Sequence, residues 1–176
     1  MPGEILTPGP EAPPQAGFFG KLATTGDFVA RGLPDGFRRN WDAWVTRHLA
    51  PRQRDGSNWP DGGIRFRLAS GGRVAAGVIV PGRDSAGRSF PLSLILIGDH
   101  LPAPDALDPW CDAAAALIKN AVPDPDALWQ GLDDLPPPAD SATDEKLPGL
   151  LLWAKDVAPQ PGDPGDPHVA LAAVFD

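Results

Sequence analysis

Apolar positions recur along this chain with a helical period in one stretch and with strand-like density in several others. GFFGKLA, from Gly17, is a short aromatic and glycine segment that suits a strand. A turn-rich TTGD follows, then the apolar Phe28 and Val29, so the segment reads as strand, loop and return. From Asp35 to Leu49 the residues Phe37, Trp41, Trp44, Val45, His48 and Leu49 fall on one stripe of a helix, with Asp35 as its N-cap and Pro51 as its stop. Arg38, Arg39, Asp42 and Arg47 take the opposite face, as a helix packed on a sheet with one wet side requires.

A block of three strands comes next. Ile64, Phe66 and Leu68 alternate with Arg65 and Arg67, and Gly71 with Gly72 supplies a two-residue hairpin turn into VAAGVIVP. The second and third strands, Val74 to Val80 and Phe90 to Ile97, are nearly continuous in apolar residues, which implies burial on both faces. Asp108 with Pro109, and Asp124 with Pro125, each predict an N-cap and first turn of a helix. Beyond the linker-like PPPADSATDEKLPG, LLLWAKD and HVALAAVF read as two edge strands separated by the turn-rich APQPGDPGDP. The predicted fold class is α/β, a three-layer sandwich in which helices cover both faces of a mixed, largely antiparallel sheet.

Composition divides the chain further. Of its 176 residues 23 are proline and 20 glycine, about double average usage together, with much of that excess in the N-terminal twenty residues and after Asp133. Residues 1–16 read as a flexible Pro-rich arm, residues 17–135 as the folded α/β domain, and residues 136–176 as a Pro/Asp-rich linker with edge strands of the same domain. A single cysteine, Cys111, permits no internal disulfide, and the chain opens with no basic-then-apolar segment, so a cytoplasmic location is expected. No apolar run is long enough to span a bilayer. The net charge of −8 is unevenly spread: residues 21–90 hold 12 Lys/Arg against 6 Asp, and residues 91–176 hold 3 against 15 acidic residues. An acidic total argues against nucleic acid, whose backbone binds through neutralisation of its phosphates.

Candidate chemistry is sparse. His48, His100 and His168 have no second ligand at metal spacing, so no metal site and no cofactor are expected. Cys111 reads as a small core residue more readily than as an activated thiol. The glycine-rich loops near Gly20 and Gly87 invite a small-molecule or nucleotide-binding reading, yet Lys21 follows Gly20 without the spacing of a phosphate-binding loop. Lys21, Asp27, Arg31, Asp84 and Arg88 either brace these loops or form a partner-binding surface. Asp27 and Asp84 alone lack a nucleophile or oxyanion donors, so no catalytic residue is assigned and the chain is not expected to be an enzyme. Trp59, in DGSNWPDGG, stands outside any regular element and is a candidate interface anchor or loop plug.

Certain residues carry a likeness. GFFGKLATTGDFVARGLPDGF, then WDAW, then PGRDSAGRSFPLSL resemble the TagF (ImpM) family of type VI secretion accessory proteins. The matching motif positions include Gly17, Phe18, Gly20, Gly26, Phe28 and Pro34, the helix aromatics Trp41 and Trp44, and Gly87, Phe90 and Pro91. The resemblance covers Gly17 to Ile97 well, continues through the Trp110 segment and weakens after Leu135. It implies a cytoplasmic, non-catalytic regulator that restrains type VI secretion post-translationally. It also implies type VI components as partners, in some systems a forkhead-associated scaffold protein. The residue-level reading agrees in finding a folded domain without an assembled chemical site; its alternative is an enzyme that binds a small molecule or nucleotide at the glycine loops.

Overall fold

The computed structural model describes residues 13–139 and 147–175. In chain order the elements are β1 (Gln15–Lys21), β2 (Phe28–Arg31), α1 (Asp35–His48), α2 (Ala50–Arg54), β3 (Ile64–Ser70), β4 (Arg73–Val80), β5 (Leu92–Gly98), α3 (Pro104–Ala116), α4 (Pro125–Asp133), β6 (Leu150–Ala154), β7 (Val157–Pro161) and α5 (His168–Phe175). The strands form one seven-stranded sheet in the order β2-β1-β5-β4-β3-β6-β7. Gly71 and Gly72, at φ 59° and 79°, make the tight turn that sets Ser70 opposite Arg73 and so fixes the β3–β4 register.

Because strand side chains alternate between faces, successive residues of the central strands enter two different cores. Phe18, Val78, Leu94 and Leu96 join Trp110, Ala114, Leu128 and Leu132 of α3 and α4. Phe19, Ile79, Ile95 and Ile97 join Trp41 and Val45 of α1 with Leu171 and Val174 of α5. The near-continuous apolar runs of β4 and β5 arise from this double burial.

The α/β class holds, with several corrections of detail. Every strand pairing among the described residues is antiparallel, so the parallel component implied by a mixed sheet is absent there. HVALAAVF is not an edge strand but helix α5. Pro167 precedes it and accepts the Leu171 N–H, and Ala170, Leu171 and Val174 turn inward while Val169 stays exposed. An unbroken apolar run carries no period, which is why it misled. The outer strand is β7, drawn from VAPQP in the supposed turn region, and this leaves β6 inside the sheet rather than at its edge.

Helix α3 begins one turn before the expected start, at Pro104, which places Pro109 inside it and Asp108 on its body. The α4 start is as expected, with the Asp124 carboxylate accepting the Ala127 N–H at 2.8 Å. Helix α1 is capped by Pro34 rather than Asp35, and Pro51 does not end the helical path but lies in the first turn of α2. Strand β1 starts at Gln15, within the stretch read as an arm. Residues 1–12 of that stretch and residues 140–146 of the linker lie outside the described residues.

The arginines of β3 are not a wet face. Arg65 is 1% exposed: its Nη1 donates to Asp108 Oδ1 at 2.7 Å, and its Nη2 donates to Asp112. Arg67 donates to the carbonyls of Leu101 and Pro102 at 2.9 and 3.0 Å. Burial lowers the Arg67 pKa, and the two carboxylates beside Arg65 outweigh burial to raise its pKa. Together these arginines staple the sheet to α3 and to the chain leading into it.

Candidate functional site

The TTGD and PGRDSAGRSF segments meet where β1 ends and the β4–β5 loop begins. Asp84, in that loop, is 3% exposed and gathers the neighbouring donors. Its Oδ1 accepts the backbone N–H groups of Ala86 at 3.0 Å and Arg88 at 2.8 Å, and its Oδ2 accepts Arg88 Nε at 2.8 Å. Lys21 Nζ stands 3.5 Å from Oδ2. Burial pushes the Asp84 carboxyl up, but the Arg88 hydrogen bonds and charge, with the Ala86 N–H, outweigh it and hold the group below the ordinary 3.8. Arg88 Nη2 then reaches the Gly26 carbonyl at 2.5 Å, and the Ser85 N–H reaches the Thr25 carbonyl at 2.7 Å. The two loops are cross-braced through one buried carboxylate.

The other expected site residues distribute around this brace. The Asp27 carboxylate accepts the next backbone N–H, that of Phe28, at 2.7 Å, so it serves its own turn while Asp84 serves another loop. Arg31 Nε pairs with Asp126 at 3.0 Å on the surface and ties β2 to α4. Phe28 lies beneath Lys21, whose Nζ is 4.8 Å from the ring centroid, and packs edge-on to Phe90 at 4.8 Å. Gly20 packs too tightly for a side chain: a Cβ there would lie 2.4 Å from the Pro91 carbonyl oxygen. Gly87 closes the turn by donating its N–H to the Asp84 carbonyl at 2.9 Å. Both glycines thus have packing or turn roles that require no bound phosphate.

The remaining motif positions serve the core. Gly17 lies against the Arg31 carbonyl, Phe18 is fully buried, and Trp41 Nε1 donates to Ser93 Oγ at 2.8 Å across the core. Trp44 Nε1 donates to the Pro164 carbonyl at 2.9 Å, which holds α1 to the loop before α5. His48, tilted against Trp44, has its pKa lowered by burial and by Arg47. Cys111 is buried in α3, and desolvation pushes its thiol up to about 12, so it is a core side chain rather than an activated thiol.

Beside the brace lies a cleft in two lobes of about 440 and 460 Å³. It follows one end of the sheet, between the loop after α2 and the C-terminal end of α3. Trp59, Pro81 and Ile118 line both lobes and form the ridge between them. The Trp59 ring rests edge-on against Phe175 at 5.3 Å, and its buried Nε1 has no hydrogen-bond partner among the described residues. Gln53 Oε1, lining the first lobe, is buried and unpartnered in the same sense, although its Nε2 donates to the Gly82 carbonyl at 2.8 Å.

Sequence reasoning found Trp59 and Lys21 but not Gln53, Lys119 or Lys155, which complete this cleft. They come from α2, the turn after α3 and the β6–β7 turn, and only sheet order brings such distant segments together. Among the described residues no cluster of His, Cys, Asp and Glu is arranged to hold a metal ion, and no helix is long and apolar enough to cross a membrane.

Comparison with known proteins places this geometry. The crystal structure of PA0076 from Pseudomonas aeruginosa PAO1 is 32% identical and superposes with a TM-score of 0.56, covering 90% of this chain and 76% of that one. No curated protein sequence matches the chain. Residues 17–135 match the model of the TagF N-terminal domain, described as type VI secretion system-associated. The chain therefore belongs to the TagF family of type VI secretion system-associated proteins.

Proposed function

We propose that this protein is a non-catalytic accessory protein of type VI secretion, acting in the cytoplasm by occupying a partner's surface and restraining secretion post-translationally. The observation that carries this reading is the TagF N-terminal domain match over residues 17–135. The use of the Asp84 carboxylate supports it, since its lone pairs are committed to bracing rather than directed at a substrate. The charge asymmetry supplies two electrostatic faces for salt-sensitive association with type VI components, a forkhead-associated scaffold protein among them. The two core clusters on alternate strand positions support a three-layer sandwich as the scaffold that presents these faces.

The test is genetic and biochemical. Deleting the gene should raise export of type VI substrates into the medium, and restoring the full chain should lower it without changing the amounts of the secretion components. A tagged chain purified from its own cytoplasm at low salt should bring down a type VI component, with less at moderate salt. Unchanged export on deletion, in cells whose secretion system is demonstrably active, would overturn the proposal. The rival reading, an enzyme binding a nucleotide near Gly20 and Gly87, requires nucleotides to raise the melting temperature by mass action.

A further inference from the structure

The two-lobed cleft carries an unusual excess of positive charge for so acidic a chain. Lys21 and Arg83 line the first lobe, and Arg65, Lys119 and Lys155 line the second, against two carboxylates, Asp61 and Asp112. Asp112 is already paired with Arg65, and Lys21 with Asp84. Arg83, Lys119 and Lys155 are exposed and have no carboxylate partner among the described residues. Among the described residues, three cations without a carboxylate partner therefore face one groove in a protein of net charge −8.

The polar atoms along the ridge narrow the class of ligand. Trp59 Nε1 is a donor and Gln53 Oε1 an acceptor, both buried without partners, and a peptide group supplies one acceptor and one donor in return. Leaving either atom unpaired costs about 1–3 kcal/mol, so a ligand that satisfies them gains affinity and orientation. Both atoms are buried, so a ligand reaches them by displacing part of the cleft wall, where the one aromatic contact of Trp59 is the edge against Phe175. The cations are divided between two lobes rather than converging on one point, which suits charges spaced along a chain better than a compact phosphate. Apolar lining from Leu22, Val80, Ile118 and Val122 suits side chains between those charges.

We propose that this cleft is the docking site for an acidic, extended peptide segment of a partner protein. Its carboxylates lie toward Arg83 in one lobe and toward Lys119 and Lys155 in the other, and its main chain crosses the Trp59 ridge. This rests on the reading of the protein as an interaction module and names the surface and the chemistry of the contact.

The experiment uses the full chain as bait for a displayed library of random twelve-residue peptides. The best consensus peptide is then synthesised with a fluorophore and measured by anisotropy, while the Trp59 indole N–H, assigned with a Trp59→Phe variant, is followed by NMR. The expected consensus is rich in Asp and Glu, and its binding weakens about tenfold in an Arg83→Glu/Lys119→Glu/Lys155→Glu variant, the sum of three exposed charge pairs. A peptide with lysine in place of its acidic residues should recover binding to that variant. Because the three side chains are exposed and without a carboxylate partner among the described residues, Arg83 making only a long 3.4 Å bond to the Gly87 carbonyl, the variant's circular dichroism and melting should match the unaltered chain.

A neutral or basic consensus would overturn the proposal. So would a consensus peptide that binds the charge-reversed chain equally well, or one that leaves the Trp59 indole resonance in place. ATP or inorganic phosphate that shifts that resonance and displaces the peptide would reassign the cleft to a small anion. The two readings fail separately: if the triple variant still restrains export in the deletion strain, the cleft inference falls and the secretion role stands. If deletion itself has no effect on export, the secretion role falls whatever the peptide does.

Discussion

Replacing Asp108 by alanine should destabilise the protein far more than replacing Arg65 by methionine, although both substitutions break the same ion pair. The asymmetry follows from where each charge lies. The Arg65 side chain is 2% exposed, whereas those of Asp108 and Asp112 are 39% and 52% exposed. Removing the arginine leaves two part-exposed carboxylates that water can solvate in place, Asp108 keeping its hydrogen bond from Trp153 Nε1, and methionine fills the vacated volume with a flexible apolar chain. That change costs under about 1.5 kcal/mol, because exchange of a buried ion for a hydrophobic group of similar volume is often close to neutral. Removing Asp108 instead leaves the guanidinium buried with one carboxylate and strips the acceptor from Trp153 Nε1, which donates to Asp108 at 2.8 Å from a side chain that is almost wholly buried. A buried guanidinium that has lost one of its two carboxylates, together with an orphaned indole N–H, costs about 3–5 kcal/mol. Urea unfolding of the full chain, followed by far-ultraviolet circular dichroism, reads both. At a slope of about 2 kcal/mol per molar, D108A lowers the midpoint by about 1.5–2.5 M and R65M by less than about 0.75 M. A midpoint for R65M equal to or below that of D108A would refute the argument that water rescues the carboxylates and not the guanidinium.

Other perturbations test other parts of the fold. The folded Asp84 pKa lies below 3.8, so its contribution to stability is present above that value and lost as pH falls through the folded pKa. Asp84→Asn should therefore lower the melting temperature at neutral pH and flatten its decline between about pH 5 and pH 2; an unchanged acid limb would remove Asp84 from the brace. Gly77 faces β5 so closely that a Cβ would lie 1.9 Å from the Leu94 carbonyl oxygen, and Gly77→Ala should cost at least about 3 kcal/mol by forcing β4 and β5 apart. A G77A chain that melts like the unaltered protein would contradict that contact. Cys111, buried with its thiol pushed up to about 12, should resist a thiol reagent in the native chain and react once urea unfolds it, so stoichiometric labelling without denaturant would place it at the surface. Arg31→Glu breaks the exposed pair with Asp126 and the local Nη1 bond to the Ala30 carbonyl and should shift stability by about 1 kcal/mol, whereas Arg88→Glu sets a second carboxylate against buried Asp84 and should destabilise strongly. Similar melting of the two variants would deny the distinction between surface tie and brace.

The periodic parts of the chain were readable in advance, and the reasons are local. The apolar stripe of α1, the Gly71–Gly72 hairpin and the double burial of β4 and β5 each follow from neighbouring side chains alone. The Asp124 cap of α4 does too, because an Asp before Pro signals its own helix start. The same signal at Asp108–Pro109 misplaced α3 by a turn, since Pro104 also opens a helix and nothing local ranks the two. HVALAAVF failed for a related reason: its apolar run has no polar gaps to reveal a period, and tertiary packing selects the helix. For the site, Asp84, Arg88 and Lys21 could be named but not joined, because a brace and a docking surface need the same residue types. The cleft was out of reach, since its walls come from segments that adjoin only through the order of strands.

That order links the brace to the cleft at one side chain. Lys21 is the end of β1, it is held by Asp84 and Phe28, and it also lines the first lobe of the cleft. Asp84 in turn is oriented by Arg88, and the residue before it, Arg83, lines the first lobe of the cleft. Arg88 therefore influences the cleft without lining it: its guanidinium holds the carboxylate that holds the ammonium, and the same turn aims Arg83 outward. A substitution at Arg88 that weakens partner binding is for that reason no proof of contact. The contact itself has to be sought at cations that touch the cleft outside the brace, Lys119 and Lys155 first, since Arg83 Nη1 also donates to the Gly87 carbonyl at 3.4 Å. Of the charges in this loop only Asp84 is buried, and through it Arg88, itself largely exposed, positions a lysine of the proposed docking surface without touching that surface.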